Sequence, residues 1–169
     1  MIKLVKPSNK YEESYLDALR EFRDENSEEG KDFLLDGSNF DDMMKKYESY
    51  SQGKNLPDGY VPASEFWLVD DEQFIGRLSI RHKLNERLKK IGGHIGYAIR
   101  PSLRKKGYGT RILELGKKEA KKLGIEKALM TCKDWNIGSR KIIEKNGGIF
   151  LDRATIEDGV IELRFWVNI

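Results

Sequence analysis

Apolar positions along the chain change their spacing in a fixed order, and that order predicts the elements. Ile2 to Val5 reads as a first strand, and Pro7-Ser8-Asn9 offers turn and N-cap residues for a helix whose apolar face is Tyr11, Tyr15, Leu19 and Phe22. A break at 26–30 separates it from a second helical stretch, where Phe40, Met43, Met44, Tyr47 and Tyr50 keep helical spacing. Gly53 to Pro62, with prolines at 57 and 62, is a loop and a candidate lid. Phe66 to Val69 and Phe74 to Ile80 bracket 70–73 as an antiparallel hairpin, and Asn85 to Lys90 reads as a polar connection. His94 to Arg100 is a strand that Pro101 stops. The next helix carries Ile112, Leu113, Gly116, Ala120 and Leu123 on one stripe, with Arg111, Glu114, Lys117, Lys118, Lys121 and Lys122 opposite. Lys127 to Cys132 is a strand, and Ser139 to Lys145 a short helix. Gly148 to Arg153 and Val160 to Val167 are closing strands joined by a turn at 157–159.

These elements make one α/β domain over 1–169. A length of 169 residues with 38% apolar content suits a single core and no second one. No apolar run approaches the roughly 20 residues of a membrane span, Met1 to Lys10 lacks a signal peptide's apolar stretch, and Cys132 is the single cysteine. A cytoplasmic protein without membrane contact is expected. Charge is unevenly distributed. Residues 10–50 hold 13 acidic and 6 basic side chains, whereas 81–145 hold 19 basic and 6 acidic. Lysines 117, 118, 121 and 122 read as a solvated helix face rather than a nucleic-acid surface, so nucleic acid is not the expected partner.

The chemistry concentrates at Arg104-Lys-Lys-Gly-Tyr-Gly-Thr110, between the strand and the basic helix. A helix start leaves about four amide N–H groups without partners and carries roughly half a positive charge, so it accepts anions. Gly107 and Gly109 allow close approach, and Arg104, Lys105 and Lys106 add counter-charge. A polyphosphate is the expected ligand, and a plain loop leading into a solvated helix is the alternative the seven residues leave open. A P-loop needs Lys-Ser or Lys-Thr after its last glycine, and Thr110-Arg111 stands there instead. A Rossmann fingerprint would need a third glycine where Ile112 stands.

Arg104-x-x-Gly107-x-Gly109, after a strand and opening a helix, is similar to the acetyl-CoA motif of the GNAT acetyltransferase superfamily. Asn136, Ser139 and the end at Asn146-Gly147-Gly148 resemble that family's Asn-x-x-Ala/Ser helix. The phrases at 92–97 and 100–104 look like a poorly characterised bacterial branch of predicted acetyltransferases. The resemblance implies a mixed, mainly antiparallel central sheet of six to seven strands flanked by about four helices. It implies acetyl-CoA as cosubstrate, with no metal, held by Tyr97, Ala98 and Ile99 on the strand and by Arg104, Lys105, Lys106, Gly107, Tyr108, Gly109 and Thr110 in the cradle, with Asn136 and Ser139 contributing. The acceptor would be a small-molecule or peptide amine, cationic if the acidic helices wall its pocket, and a homodimer is compatible.

Acetyl transfer needs a thioester held still, a neutral amine and a proton for the leaving thiolate. Where many relatives carry an acidic tyrosine, seven residues after the asparagine, this chain has Ile143. That leaves water, Tyr97 or Tyr108. No base stands out: relatives place one at the positions of Gly93 or Ile95, and His94 has the other parity. His94, Tyr97 and Tyr108 are therefore the catalytic candidates, His82 is no better supported, and Cys132 is expected to pack. Asn136 also suits an N-cap. The main alternative to an N-acetyltransferase is a CoA-binding regulatory module without turnover.

Overall fold

The computed structural model describes residues 1–25, 39–156 and 159–169. β1 (Ile2–Val5) leads through a 3-10 turn to α1 (Glu12–Glu25). Ser8 caps that turn, its Oγ accepting from the Lys10 N–H. α2 (Phe40–Ser51) follows, capped by Asn39, then the hairpin β2 (Ala63–Asp70) and β3 (Gln73–Arg81). Next come α3 (Glu86–Lys90), β4 (Ile95–Ile99) and α4 (Tyr108–Lys122). β5 (Lys127–Lys133), α5 (Ile137–Lys145), β6 (Gly148–Thr155) and β7 (Ile161–Asn168) complete the order.

The strands form two antiparallel sheets, ordered β1-β2-β3-β4 and β5-β7-β6. Every expected element is present, with boundaries a few residues wider at most ends. Two features differ. The strands divide into two sheets because β4 and β5 part company, as described below. The polar connection at 85–90 is a helix, α3, whose N-cap Asn85 accepts from the Leu88 N–H at 2.9 Å; five residues with one apolar position are too short to show a period. The expected break at 26–30 and residues 157–158 of the closing turn lie outside the described residues.

Side chains alternate across a sheet, so each face has its own partners. On one face Leu68, Leu78, Ile80, Ile95 and Ile99 meet Ile112, Leu113 and Ala120 of α4, and Met130, Cys132, Leu163, Phe165 and Val167 extend the same core under the second sheet. Gly116 lets α4 lie close, because a Cβ there would collide with Leu78. On the other face Trp67, Val69 and Phe74 pack against Tyr11, Tyr15, Ala18, Leu19 and Phe22 of the α1 region and Phe40 and Met43 of α2. Tyr15 stacks on Trp67 with ring centroids 4.6 Å apart. Among the described residues, no helix is long and apolar enough to cross a membrane.

Candidate active site

The sheets touch at one point and then separate. His94 donates its backbone N–H to the Leu129 carbonyl at 2.7 Å, and the Leu129 N–H donates to His94 Nδ1 at 2.9 Å. Gly93 makes the approach possible, since a Cβ there would fall on the Leu129 carbonyl and within 3.2 Å of the Met130 Cα. Beyond this link β4 pairs with β3 alone. The bonds Arg81 N–H to His94 O and Arg100 N–H to Ile75 O fix the phase of that ladder. By the alternation of antiparallel pairing, residues 96 and 98 bond to β3, and Ile95, Tyr97 and Ile99 turn their backbone groups outward. Of the three strand amides expected to meet a ligand, those of Tyr97 and Ile99 face the gap. The Ala98 amide belongs to the β3 ladder.

The gap leads to the start of α4. Gly107 is the N-cap, in the left-handed region at φ 85°, and supplies no side-chain cap. Helical bonding begins with Arg111 N–H to Gly107 O at 3.1 Å, leaving the amides of Tyr108, Gly109 and Thr110 at the open end. Lys105 and Lys106 are exposed beside it. Two cradle residues are also engaged within the fold. Arg104 turns back, its Nε donating to Ile99 O at 3.1 Å and its terminal nitrogens pairing with Glu25. Gly109 also makes room inside the fold: a Cβ there would lie 2.5 Å from Ile142 Cδ1. An extended, amide-bearing chain ending in a polyphosphate suits this strand edge and helix start.

Asn136 caps α5, its Oδ1 accepting from the Ser139 N–H at 3.0 Å. Ile143 is fully buried, so no hydroxyl stands at that position. The structure instead brings two of the predicted residues together: the Tyr97 hydroxyl lies 3.1 Å from Ser139 Oγ. Burial pushes the Tyr97 phenol well above its ordinary range, so it keeps its proton. Tyr108 is half-buried against the α4 core, with no bond to that pair. The Cys132 thiol is pushed up to about 11, first by burial and then by Glu162, and stays protonated at neutral pH.

The face opposite α4 carries polar groups that sequence reasoning passed over. Leu163, Phe165 and Val167 point to the core, so Glu162 points the other way. It is 3% exposed, burial raises its pKa, and Thr131 bonds to it. In the first sheet Glu65 is buried, with Arg77 Nε 2.6 Å from its Oε1. A cavity of about 120 Å³ beside it is lined by Lys6, Tyr47, Glu48 and Ser51 among others. The signal for Glu65 was a charge directly before the apolar run Phe-Trp-Leu-Val, whereas Glu162, alternating with Leu163 and Arg164, gave none. His94 shares this face, but its Nδ1 lone pair is occupied by Leu129. Burial, then Arg81, lowers its pKa. His82 is held elsewhere, its Nε2 2.9 Å from Ser64 Oγ.

The sequence profile of the acetyltransferase (GNAT) domain matches residues 13–149. No curated protein matches the chain. Among solved structures, the fold is similar to the microcin self-immunity acetyltransferase MccE in complex with acetyl-CoA and AMP, at 18% identity and TM-score 0.69 over 99% of this chain and 92% of that one. It is also similar to the ribosomal-protein α-N-acetyltransferase RimL in complex with coenzyme A, at 13% identity and TM-score 0.71 over 99% and 94%. A spermidine N-acetyltransferase, a SpeG chimera from Vibrio cholerae and hSSAT, aligns at 12% identity and TM-score 0.67 over 99% and 95%. Identities this low speak to the fold, whereas the domain profile covers most of the sequence and carries the assignment. The chain belongs to the GNAT family of acetyl-CoA-dependent N-acetyltransferases.

Proposed function

We propose that this protein transfers the acetyl group of acetyl-CoA to a primary amine by direct attack of the amine on the thioester. The observation that carries the reading is the gap between β4 and β5, whose free strand edge runs into the uncapped start of α4. Outward groups of Tyr97 and the outward N–H of Ile99 hold the amide-bearing arm, and the amides of Tyr108 to Thr110, with Lys105 and Lys106, hold the pyrophosphate. Acetyl-CoA supplies an activated acyl group and a leaving thiolate. The Tyr97 and Ser139 hydroxyls stand on the α5 side of the gap to hydrogen-bond that thiolate. Glu162, on the opposite face, takes the proton from the amine; burial keeps its basicity above that of an ordinary carboxylate.

The acceptor enters on the face opposite α4, where Glu48 and Glu162 favour a cation, Glu65 being already paired with Arg77. Of the acidic residues at 10–50, Glu48 lines the cavity on this face. Glu21 and Glu25 are bound to Arg100 and Arg104, and Asp17 and Asp42 are paired within their own helices. Acetyl-CoA with a panel of diamines, amino acids and amino-terminal peptides, followed by thiol release, tests the proposal. Amine-dependent release fastest with a cationic acceptor is expected. Tight acetyl-CoA binding with no amine-dependent release would establish the regulatory-module reading instead.

A further inference from the structure

The last two turns of α1 are clamped onto the connection between β4 and α4. Glu21 and Glu25, one turn apart on the same helix face, both reach it. Glu21 Oε1 accepts from Arg100 Nε at 2.7 Å, and Oε2 accepts from the Ser102 backbone N–H at 3.0 Å. Arg100 also donates to Ser14 Oγ, two turns earlier on the same helix, at 3.3 Å. Glu25 takes the Arg104 guanidinium, whose Nε holds Ile99 O. Both Glu21 and Arg100 are mostly shielded, with side-chain exposures of 27% and 13%. Burial alone would raise the Glu21 pKa, but its bonds to Ser102 and Arg100 outweigh it and hold the carboxyl below its ordinary range.

The segment that follows needs such a hold. Leu103 N–H bonds to Arg100 O and Arg104 N–H to Pro101 O, after which the next main-chain bond is Arg111 to Gly107. Between them lie Lys105 at φ 61° and Gly107 at φ 85°, both left-handed, the first in a residue that rarely adopts it. The direction of the cradle amides is therefore set from its two ends, by α4 on one side and by the α1 clamp on the other. A loop left unordered must be ordered on binding, and that cost lowers affinity without touching the chemistry.

We infer that Glu21 is a positioning residue for the cosubstrate: through the Ser102 amide and Arg100, it holds the 101–107 connection so that the start of α4 meets the pyrophosphate of acetyl-CoA. The inference rests on the reading of Lys105 to Thr110 as the acetyl-CoA cradle. It gives α1, which otherwise packs against the acceptor-side face, a direct hold on the cofactor end of the site.

The test uses the full chain and acetyl-CoA, with the Kd from calorimetry and kcat and KM for both substrates with the fastest amine of the panel. Glu21→Ala should raise the Kd and KM for acetyl-CoA about tenfold. Its kcat and the amine KM should stay within about twofold. Glu21→Gln, which keeps one acceptor oxygen and the side-chain length, should fall between wild type and Glu21→Ala. It decides the matter if the alanine variant does not fold. An unchanged acetyl-CoA Kd in both variants would overturn the inference, and so would equal losses in kcat and in both KM values, which mark general loosening. Lys106→Glu separates this from failure of the underlying reading. If that charge reversal leaves acetyl-CoA binding unchanged, the cradle assignment falls. If it weakens binding while the Glu21 variants do not, only the positioning role falls.

Discussion

His94 and Leu129 hold each other twice, backbone N–H to carbonyl at 2.7 Å and backbone N–H to Nδ1 at 2.9 Å. Because Nδ1 accepts, the neutral ring carries its proton on Nε2 and has no lone pair left to act as a base. His94 is a pin at the point where the sheets separate. Replacing it with alanine leaves a shielded Leu129 N–H without its partner, and about 1–3 kcal/mol of stability should be lost in denaturant unfolding. The pH dependence has a definite sign. Burial lowers the folded-state pKa, so this contribution is present above the unfolded value of about 6.5 and is lost as pH falls through the folded value. A wild-type midpoint that drops on acidification and a flatter His94→Ala curve are expected.

The cradle lysines are exposed, so reversing one changes charge without disturbing packing. Lys106→Glu should weaken acetyl-CoA binding by about three- to tenfold at low salt. The deficit should narrow as ionic strength approaches 0.5 M, because screening shortens the reach of the lost charge. Calorimetry at two salt concentrations reads both effects.

Gly107 and Gly109 stand two residues apart and should fail differently. Gly109→Ala brings a methyl against the tip of the Ile142 side chain, which can turn aside by about an ångström, and less than about 1 kcal/mol of stability should go with it. Gly107→Ala meets open space but retains a left-handed backbone, costing about 1–2 kcal/mol. Only the second alters the open end of the helix start itself. Thermal unfolding with and without acetyl-CoA should therefore show a smaller ligand-induced shift for Gly107→Ala and an undiminished one for Gly109→Ala.

Hydrophobic spacing was enough to read the elements because each long one buries a single face: the Ile112, Leu113, Gly116 and Ala120 stripe of α4 is the contact the core uses. The cradle was legible for the same local reason, since glycines between a strand and a helix leave few conformations. What spacing cannot carry is pairing between distant segments. That α1 brings Glu25 against Arg104 and α5 brings Ile142 against Gly109 shows only in the fold. His94 had the parity of a group off the α4 face, but its occupation by Leu129 depends on how two sheets meet. Glu162 looks like a solvent-facing residue of a closing strand, and only its burial beside Thr131 makes it chemically distinct.

Tyr97 and Ser139 hydroxyls lie within hydrogen-bond distance of one another, so either can satisfy a thiolate when the other is removed. Tyr97→Phe and Ser139→Ala should each reduce kcat by less than about tenfold, and the double variant by about a hundredfold, more than the two single losses combined. Tyr108→Phe, outside the pair, should stay within about twofold. A thousandfold loss in Tyr108→Phe would move the acid to the start of α4.

Glu162 is where function and stability should pull apart. Burial raises its folded-state pKa above the unfolded value. Its contribution to stability is therefore present below the unfolded pKa and lost as pH rises through the folded one, so ionising the carboxylate in the folded protein carries a cost. Glu162→Gln keeps the shape and a hydrogen bond to Thr131 and removes the charge. Its unfolding midpoint at pH 7 should equal or exceed that of wild type. Activity should move the other way. A base must be deprotonated to accept the amine proton, so the wild-type rate should fall on the acid side as Glu162 takes up a proton. The glutamine variant should lose about 10²–10⁴ in rate and that acid limb together. A limb belonging to the amine itself moves with the pKa of the acceptor, so profiles with two amines of different basicity separate the two. A glutamine variant that keeps both its rate and its acid limb would take Glu162 out of the proton path and leave the amine to lose its proton to water before attack.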